Sequence, residues 1–231
     1  MEPQIKLVVF DMAGTTVRDE NNAVASAIRT ALHEHGCTVT IEDVNPHIGT
    51  PKPQTIRTLL QQKRGDAPDD LVDTVHERFQ DLIVEHYRSA PGVAEMDGAS
   101  SFFAALREAG VKVTLDTGFD RLTLDTIVER LGWHGLLDDT VASDEVRAGR
   151  PAPDMIETLM QRCGITDPAQ VCKVGDSVSD MQQGIAASCG LVVAVMCERT
   201  RDEYTKYPGV RPIETLGELG DMLGVSASVT P

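Results

Sequence analysis

The sequence predicts an α/β fold, a parallel sheet layered with helices, with a helical cap inserted after the first strand. Three observations carry that prediction. Residues 5–10 read Ile-Lys-Leu-Val-Val-Phe, a short apolar run of the kind buried on both faces in a parallel sheet. From Pro91 onward, short apolar runs alternate with helical patterns, the rhythm of parallel strands joined by crossover helices. Between Asn21 and Ala90 every periodic segment has helical spacing instead. The expected division is a core of residues 1–20 and 91–231 and a cap of residues 21–90.

The elements follow in order. Val24, Ala27, Ile28, Ala31 and Leu32 recur at helical spacing, and Gly36 stops that helix. Ile56, Leu59 and Leu60 mark a second helix. Leu71, Val75, Phe79, Leu82, Ile83 and His86 mark a longer third one, which Pro91-Gly92 ends. A helix over 100–109 stops at Gly110, and 111–115 reads as a strand. A helix through Leu124, Ile127, Val128 and Leu131 follows, then a short strand near Val141. Met155, Ile156, Leu159, Met160 and Cys163 form the next helix. Residues 171–174 are a strand, a helix follows Asp176, 191–195 are a strand, and a last helix covers 215–223. The tail from Ser226 is expected to fray.

Composition bounds the function. The 231 residues carry 36 acidic and 21 basic side chains, a formal net charge of −15, with 41% hydrophobic residues. Enough apolar surface exists for a folded core. The charge argues against nucleic acid or an anionic membrane as partner. No basic, apolar leader opens the chain, and no window approaches the roughly 20 apolar residues of a membrane helix. Five scattered cysteines (Cys37, Cys163, Cys172, Cys189 and Cys197) form no CxxC pair and suit reduced thiols in the cytoplasm. His33 and His35 fall on different faces of a helix and make no metal pair.

In an open parallel sheet, ligands bind beyond the carboxyl ends of the strands. Strand one leads into Asp11-Met12-Ala13-Gly14-Thr15-Thr16, and the strand at 111–115 into Asp116-Thr117-Gly118. The loop after Val141 reaches Gly149-Arg150-Pro151, and the strand at 171–174 leads into Gly175-Asp176-Ser177-Val178-Ser179-Asp180. Each piece alone is an ordinary turn or cap. Together they supply a carboxylate nucleophile, a hydroxyl, a guanidinium and an acid pair, the parts needed for phosphoryl transfer through an aspartyl intermediate. Asp11 and Asp176 suit Mg²⁺, a hard cation that favours oxygen. The cation also offsets the repulsion between a carboxylate and an anionic substrate.

The ordered set Asp11-x-Ala13-Gly14-Thr15-Thr16, Thr117, Arg150 and Gly175-Asp176-x-x-x-Asp180 resembles the four motifs of the haloacid dehalogenase superfamily. The resemblance spans nearly the whole chain. It implies a Rossmann-like parallel core with an inserted cap and a Mg²⁺-dependent hydrolase. Most phosphatases of that superfamily carry an acid two positions after the nucleophile, where this chain has Ala13. Alanine there resembles the phosphonoacetaldehyde hydrolases, in which a cap lysine forms an imine with the substrate aldehyde so that the P–C bond can break toward an enamine. Lys52, in Gly49-Thr50-Pro51-Lys52, matches that lysine.

The resemblance therefore implies catalytic roles for Asp11, Lys52, Thr117 and Arg150. Ala13, Gly14, Thr15 and Gly118 would contact substrate, with Thr117, Gly118 and Arg150 on the phosphoryl oxygens. Asp11, the Ala13 carbonyl and Asp176 would hold Mg²⁺, with Asp180 beside them. Two positions depart from the family. Its histidine three residues after the lysine is Thr55 here, with His47 nearby, and Asp116 stands where a small hydroxyl residue is usual. Asp116 is expected to cap the following helix.

A phosphatase for a small phosphorylated metabolite is the runner-up. A true haloacid dehalogenase would not need the Asp176–Asp180 pair. A signalling receiver module is about half this length, carries its acceptor Asp after a middle strand and has no helical insert. A non-catalytic scaffold leaves the four strand-end groups without a shared reason. The resemblance also implies pairing of two copies through their caps, for which the helix around 71–86 offers a face. Packing of that stripe inside the cap is the favoured reading.

Overall fold

The computed structural model describes residues 4–19, 22–198 and 200–225. The expected core–cap boundary at Asn21 and the tail from Ser226 lie outside the described residues. Six parallel strands form one sheet: β1 (Leu7–Phe10), β2 (Lys112–Thr117), β3 (Asp139–Ala142), β4 (Val171–Gly175), β5 (Leu191–Val195) and β6 (Arg211–Ile213). Their order is β3-β2-β1-β4-β5-β6. The chain thus starts in the middle and winds outward twice, so the loops after β1 and β4 open at the point where the winding direction reverses. Register places Phe10 opposite Leu115 on one side and Val174 on the other.

β1 is short but buried throughout. Val8, Phe10, Val113, Leu115, Cys172 and Val174 point to one face, where α5 (Ala99–Glu108), α6 (Arg121–Leu131) and α9 (Leu216–Leu223) pack. Leu7, Val9, Val141 and Val171 point to the other, against α7 (Asp154–Cys163). α8 (Val178–Ala186) covers β4 and β5, with Met181 set against Val192 and Ala194. Both faces are covered, which is why the strands read as continuous apolar runs rather than as alternation.

Among the described residues, four α-helices stand between β1 and Pro91: α1 (Ala23–Glu34), α2 (Ile41–Val44), α3 (Lys52–Arg64) and α4 (Asp69–Ser89). The apolar stripe of α4, including Val75, Phe79 and Ile83, is buried within the chain against α1, α3 and α6. Cap and core share one continuous apolar cluster. Phe79 and Tyr87 from α4 both meet Phe119, which follows β2, with ring centroids 6.5 and 5.8 Å apart.

Two elements were not expected. α2 has only four residues, closed by a Thr40–Asp43 capping box. β6 is a three-residue edge strand containing Pro212 and mostly exposed. β2 runs two residues further than the apolar pattern suggests and takes in Asp116 and Thr117. Asp116 therefore caps nothing. The cap of α6 is Asp120, which accepts a hydrogen bond from Thr123 N at 2.8 Å.

The five cysteines are free. Among the described residues no helix is long and apolar enough to cross a membrane.

Candidate active site

The β1 strand hands Asp11 directly to the site. Asp11 N still donates to Val174 O at 2.9 Å, continuing the ladder, and then the chain turns. Thr15, Thr16 and Val17 all donate backbone N–H groups to Met12 O at 2.8–3.1 Å, and Gly14 closes the turn onto Val17 O. Thr16 Oγ1 donates to Asp11 O at 2.9 Å, which fixes the strand end from the side-chain side. Ala13 lies half-buried in this turn. The Thr15 hydroxyl is buried without a hydrogen-bond partner among the described residues. Gly14 has φ +93°, and a Cβ there would lie 2.3 Å from Asp176 Oδ2. Glycine is needed both for the backbone angle and for the approach of the second carboxylate.

The strand-end groups expected from the sequence converge. Asp11, Asp176 and Asp180 are buried, and one oxygen from each lies within 4.8 Å of the others. Thr117 is buried at the end of β2, its Oγ1 accepting from Phe119 N at 3.2 Å, which leaves its hydroxyl proton free to donate. Asp180 accepts hydrogen bonds from Ser177 N and Ser177 Oγ in the capping box that starts α8.

Arg150 has different first partners from those expected. It is fully buried, next to a cis bond to Pro151. Its Nη1 donates to Asp11 Oδ1 at 2.6 Å and lies 2.9 Å from Asp180 Oδ1. Its Nη2 donates to Asp116 O at 2.7 Å and to Asp116 Oδ1 at 2.5 Å. Arg150 thus ties the candidate nucleophile to Asp116 and Asp180.

Sequence reasoning missed Lys173. It is fully buried in β4, donates to Asp116 Oδ1 and lies 3.0 Å from Asp180 Oδ1. The signal was a lysine in the middle of the apolar run Val171–Gly175, a position a central strand gives to lysine only with a partner. That partner is the buried Asp116, so the residue that departs from the family pattern is one half of an ion pair with Lys173.

The electrostatics follow from burial. The buried carboxylates Asp11, Asp116 and Asp180 face the buried cations Arg150 and Lys173, with Asp176 beside Asp11 and Asp180 and the Lys52 amine buried nearby. Burial pushes the Asp11 carboxyl above its ordinary range, and Asp180 and Asp116 add to the push against Arg150 and Lys173. Burial would also raise Asp180, but Arg150 and Lys173 outweigh it and hold its pKa low. The surplus of negative charge and the all-oxygen donor set at Asp11, Asp176 and Asp180 fit a hard divalent cation.

The cap delivers Lys52. It opens α3 and is 3% exposed, with Nζ 3.1 Å from Thr50 O and 5.1 Å from the centroid of the Phe119 ring. Burial, assisted by Arg150, lowers its pKa to about 8. Its place in the first turn, near the positive end of the helix, works in the same direction. The loop before it rests directly on the core. A Cβ at Gly118 would lie 2.8 Å from Thr50 O, and one at Gly49 would lie 2.3 Å from Ser177 Oγ. A Cβ at Gly149 would lie 2.5 Å from Pro51 Cγ. Three missing side chains thus let the cap close on the core.

Thr55 is buried and fully occupied. Its hydroxyl shares a 2.8 Å hydrogen bond with Thr50 Oγ1 and lies 3.2 Å from His47 O. It braces the loop that carries Lys52. Burial lowers the pKa of His47, which favours its neutral form.

Comparisons with known proteins bear on the family and the fold. A family model described as haloacid dehalogenase-like hydrolase matches residues 5–188. A phosphonoacetaldehyde hydrolase of Bacillus cereus is 29% identical over 204 residues, 84% of this chain and 76% of that protein. One from Bacillus anthracis is 28% identical over 207 residues with the same coverage. Among solved structures, a phosphonoacetaldehyde hydrolase-like protein from Oleispira antarctica superposes with a TM-score of 0.80 at 17% identity, covering 96% of this chain and 92% of that one. A mutant of CbbY from Rhodobacter sphaeroides in complex with xylulose-(1,5)bisphosphate gives 0.81 at 18% identity, covering 96% and 100%. At those identities the structural likeness speaks for the fold alone.

Proposed function

Because the chain belongs to the haloacid dehalogenase-like hydrolase family, we propose that it is a phosphonatase-type hydrolase, cleaving the P–C bond of phosphonoacetaldehyde or a related phosphonoaldehyde. The observation that carries this reading is Lys52, a buried cap amine with its pKa lowered to about 8, closed over a nucleophile whose usual acid partner is replaced by Ala13. An ester phosphatase has no use for such an amine and needs the acid, whose loss costs roughly 10²–10⁴-fold in rate.

The chain's own groups divide the work. Lys52 Nζ bonds to the aldehyde carbon and water departs, leaving a protonated imine. Arg150 holds Asp11 Oδ1, so Oδ2 is the oxygen presented to phosphorus. As it attacks, the P–C bonding pair moves into the enamine, a leaving group that takes no proton at the moment of cleavage. Water then releases phosphate from Asp11, and protonation of the enamine carbon with hydrolysis of the imine frees acetaldehyde and Lys52. The sum is phosphonoacetaldehyde plus water to acetaldehyde plus phosphate. Thr117, the Gly118 amide and Arg150 would hold phosphoryl oxygens. Mg²⁺, held by Asp11, the Ala13 carbonyl and Asp176 with Asp180 alongside, would offset charge between the carboxylate and the phosphonate. The closed cap keeps bulk water away from the imine.

A small-metabolite phosphatase remains the second reading. The observation favouring it is Thr55, whose engaged hydroxyl provides no proton shuttle beside Lys52. A paired assay of phosphonoacetaldehyde against a panel of phosphate monoesters decides. Preference for the phosphonate supports P–C cleavage, and turnover of esters alone supports the phosphatase.

A further inference from the structure

Tyr87 has no part in the chemistry above, yet it stands at the site with its hydroxyl unused. It lies in the last turn of α4 and is 1% exposed. Its Oη is buried with no hydrogen-bond partner among the described residues. A buried hydroxyl without a partner is costly, and phenylalanine would fill the same space without that cost. Packing therefore gives no reason for the oxygen.

Its surroundings do. The Tyr87 ring meets Phe119 edge-on, with centroids 5.8 Å apart. Phe119 is the same ring that Lys52 Nζ covers from the cap. The carboxylates of Asp19 and Asp11 both act on the Tyr87 phenol, and the same two act on the Lys52 amine. Tyr87 and Lys52 thus pack on the same Phe119 ring, and both feel the Asp11 carboxylate. The Thr55 hydroxyl, three residues after Lys52, is engaged with the loop and offers no such donor.

We propose that Tyr87 Oη donates a hydrogen bond to an oxygen on the organic part of the substrate, the carbonyl oxygen that Lys52 attacks. The inference rests on the P–C cleavage reading. Burial and the two carboxylates hold the phenol well above its ordinary pKa, so it stays protonated and serves as a fixed donor rather than as an acid. When the Lys52 nitrogen bonds to the carbonyl carbon, the C=O π pair moves onto oxygen and the hydrogen bond from Tyr87 strengthens. The proton that neutralises this oxygen comes from the attacking amine. The same donor selects substrates. A phosphonate bearing a carbonyl oxygen at that point satisfies Tyr87, and one with a bare hydrocarbon there leaves it unpaired.

Tyr87→Phe tests this while keeping the ring. Borohydride trapping of phosphonoacetaldehyde on Lys52 should slow by about 10–100-fold. Inhibition by inorganic phosphate should be unchanged, and the melting temperature should be equal or higher. Trapping at the wild-type rate overturns the assignment. So does a lowered melting temperature, which would mark a structural hydroxyl, or weakened phosphate inhibition, which would put the hydroxyl at the phosphoryl end. A wild-type protein that is not trapped at all contradicts P–C cleavage itself and removes the Tyr87 assignment with it. Normal trapping of both proteins removes the Tyr87 assignment alone.

Discussion

Lys52 Nζ lies 5.1 Å from the centroid of the Phe119 ring, so the first turn of a cap helix is seated on the loop that follows Thr117. An ammonium in that place is weakly held by the ring and strongly penalised by burial, and its pKa falls to about 8. The amine is thus neutral enough to attack a carbonyl near physiological pH. On the P–C reading, kcat/KM for phosphonoacetaldehyde should rise through a midpoint near pH 8. A limb still rising at pH 10 would show an unperturbed lysine.

The same shift has a stability consequence. Below pH 8 the folded protein holds a buried ammonium that binds its proton less tightly than the unfolded chain does. Between about pH 8 and 10.5 only the unfolded state is protonated, so stability rises with pH and the penalty disappears. At pH 7 the penalty is on the order of 3 kcal/mol. Lys52→Met should therefore stabilise the protein at pH 7, and the advantage should vanish above pH 10.5. Denaturant melts of both proteins at the two pH values measure it.

Arg150 is the shared cation of Asp11, Asp116 and Asp180. Removing one member of a buried ionic network leaves uncompensated charge and costs about 3–5 kcal/mol. Arg150→Met should lose stability on that scale as well as activity. A variant that melts like the wild type would mean that Arg150 faces solvent or substrate rather than the core.

Gly49 and Gly65 both have positive φ, +91° and +85°, but only Gly49 lies against the core. Gly65→Ala incurs only local strain of about 1–2 kcal/mol. Gly49→Ala adds a Cβ that collides with Ser177 and Ser179 and so props the cap open. Activity should fall by about 10²-fold or more in Gly49→Ala, as expected when a closing element is misplaced, and stay near wild type in Gly65→Ala. Equal losses would show that backbone strain, not cap closure, is responsible.

A cation bound by the folded state alone raises its stability. Added Mg²⁺ should increase the melting temperature, EDTA should abolish turnover, and Asp176→Asn should lose the Mg²⁺-dependent increment. Full activity in EDTA would count against the metal assignment.

Much of this was legible because the sheet is buried on both faces. Apolar runs such as Leu7–Phe10 and Val171–Gly175 announce themselves, and their ends deliver Asp11 and Asp176 in chain order. β6 and α2 were not legible, because three or four residues hold too little pattern. Asp116 was misjudged because two aspartates precede α6 and spacing does not tell which one caps it. The apolar pattern of β2 ended at Leu115, while the strand continues through Asp116 and turns that carboxylate toward Lys173. Tyr87 and Phe119 were silent for a different reason. Their place at the site comes from the cap folding back over the core, a relation between distant segments that no local pattern encodes.

The most direct measurement is borohydride reduction in the presence of phosphonoacetaldehyde, followed by peptide mass mapping. The account predicts a single substrate-dependent adduct on Lys52, lost in Lys52→Ala together with P–C cleavage. Phosphonate turnover with no adduct, or with activity surviving Lys52→Ala, would contradict it.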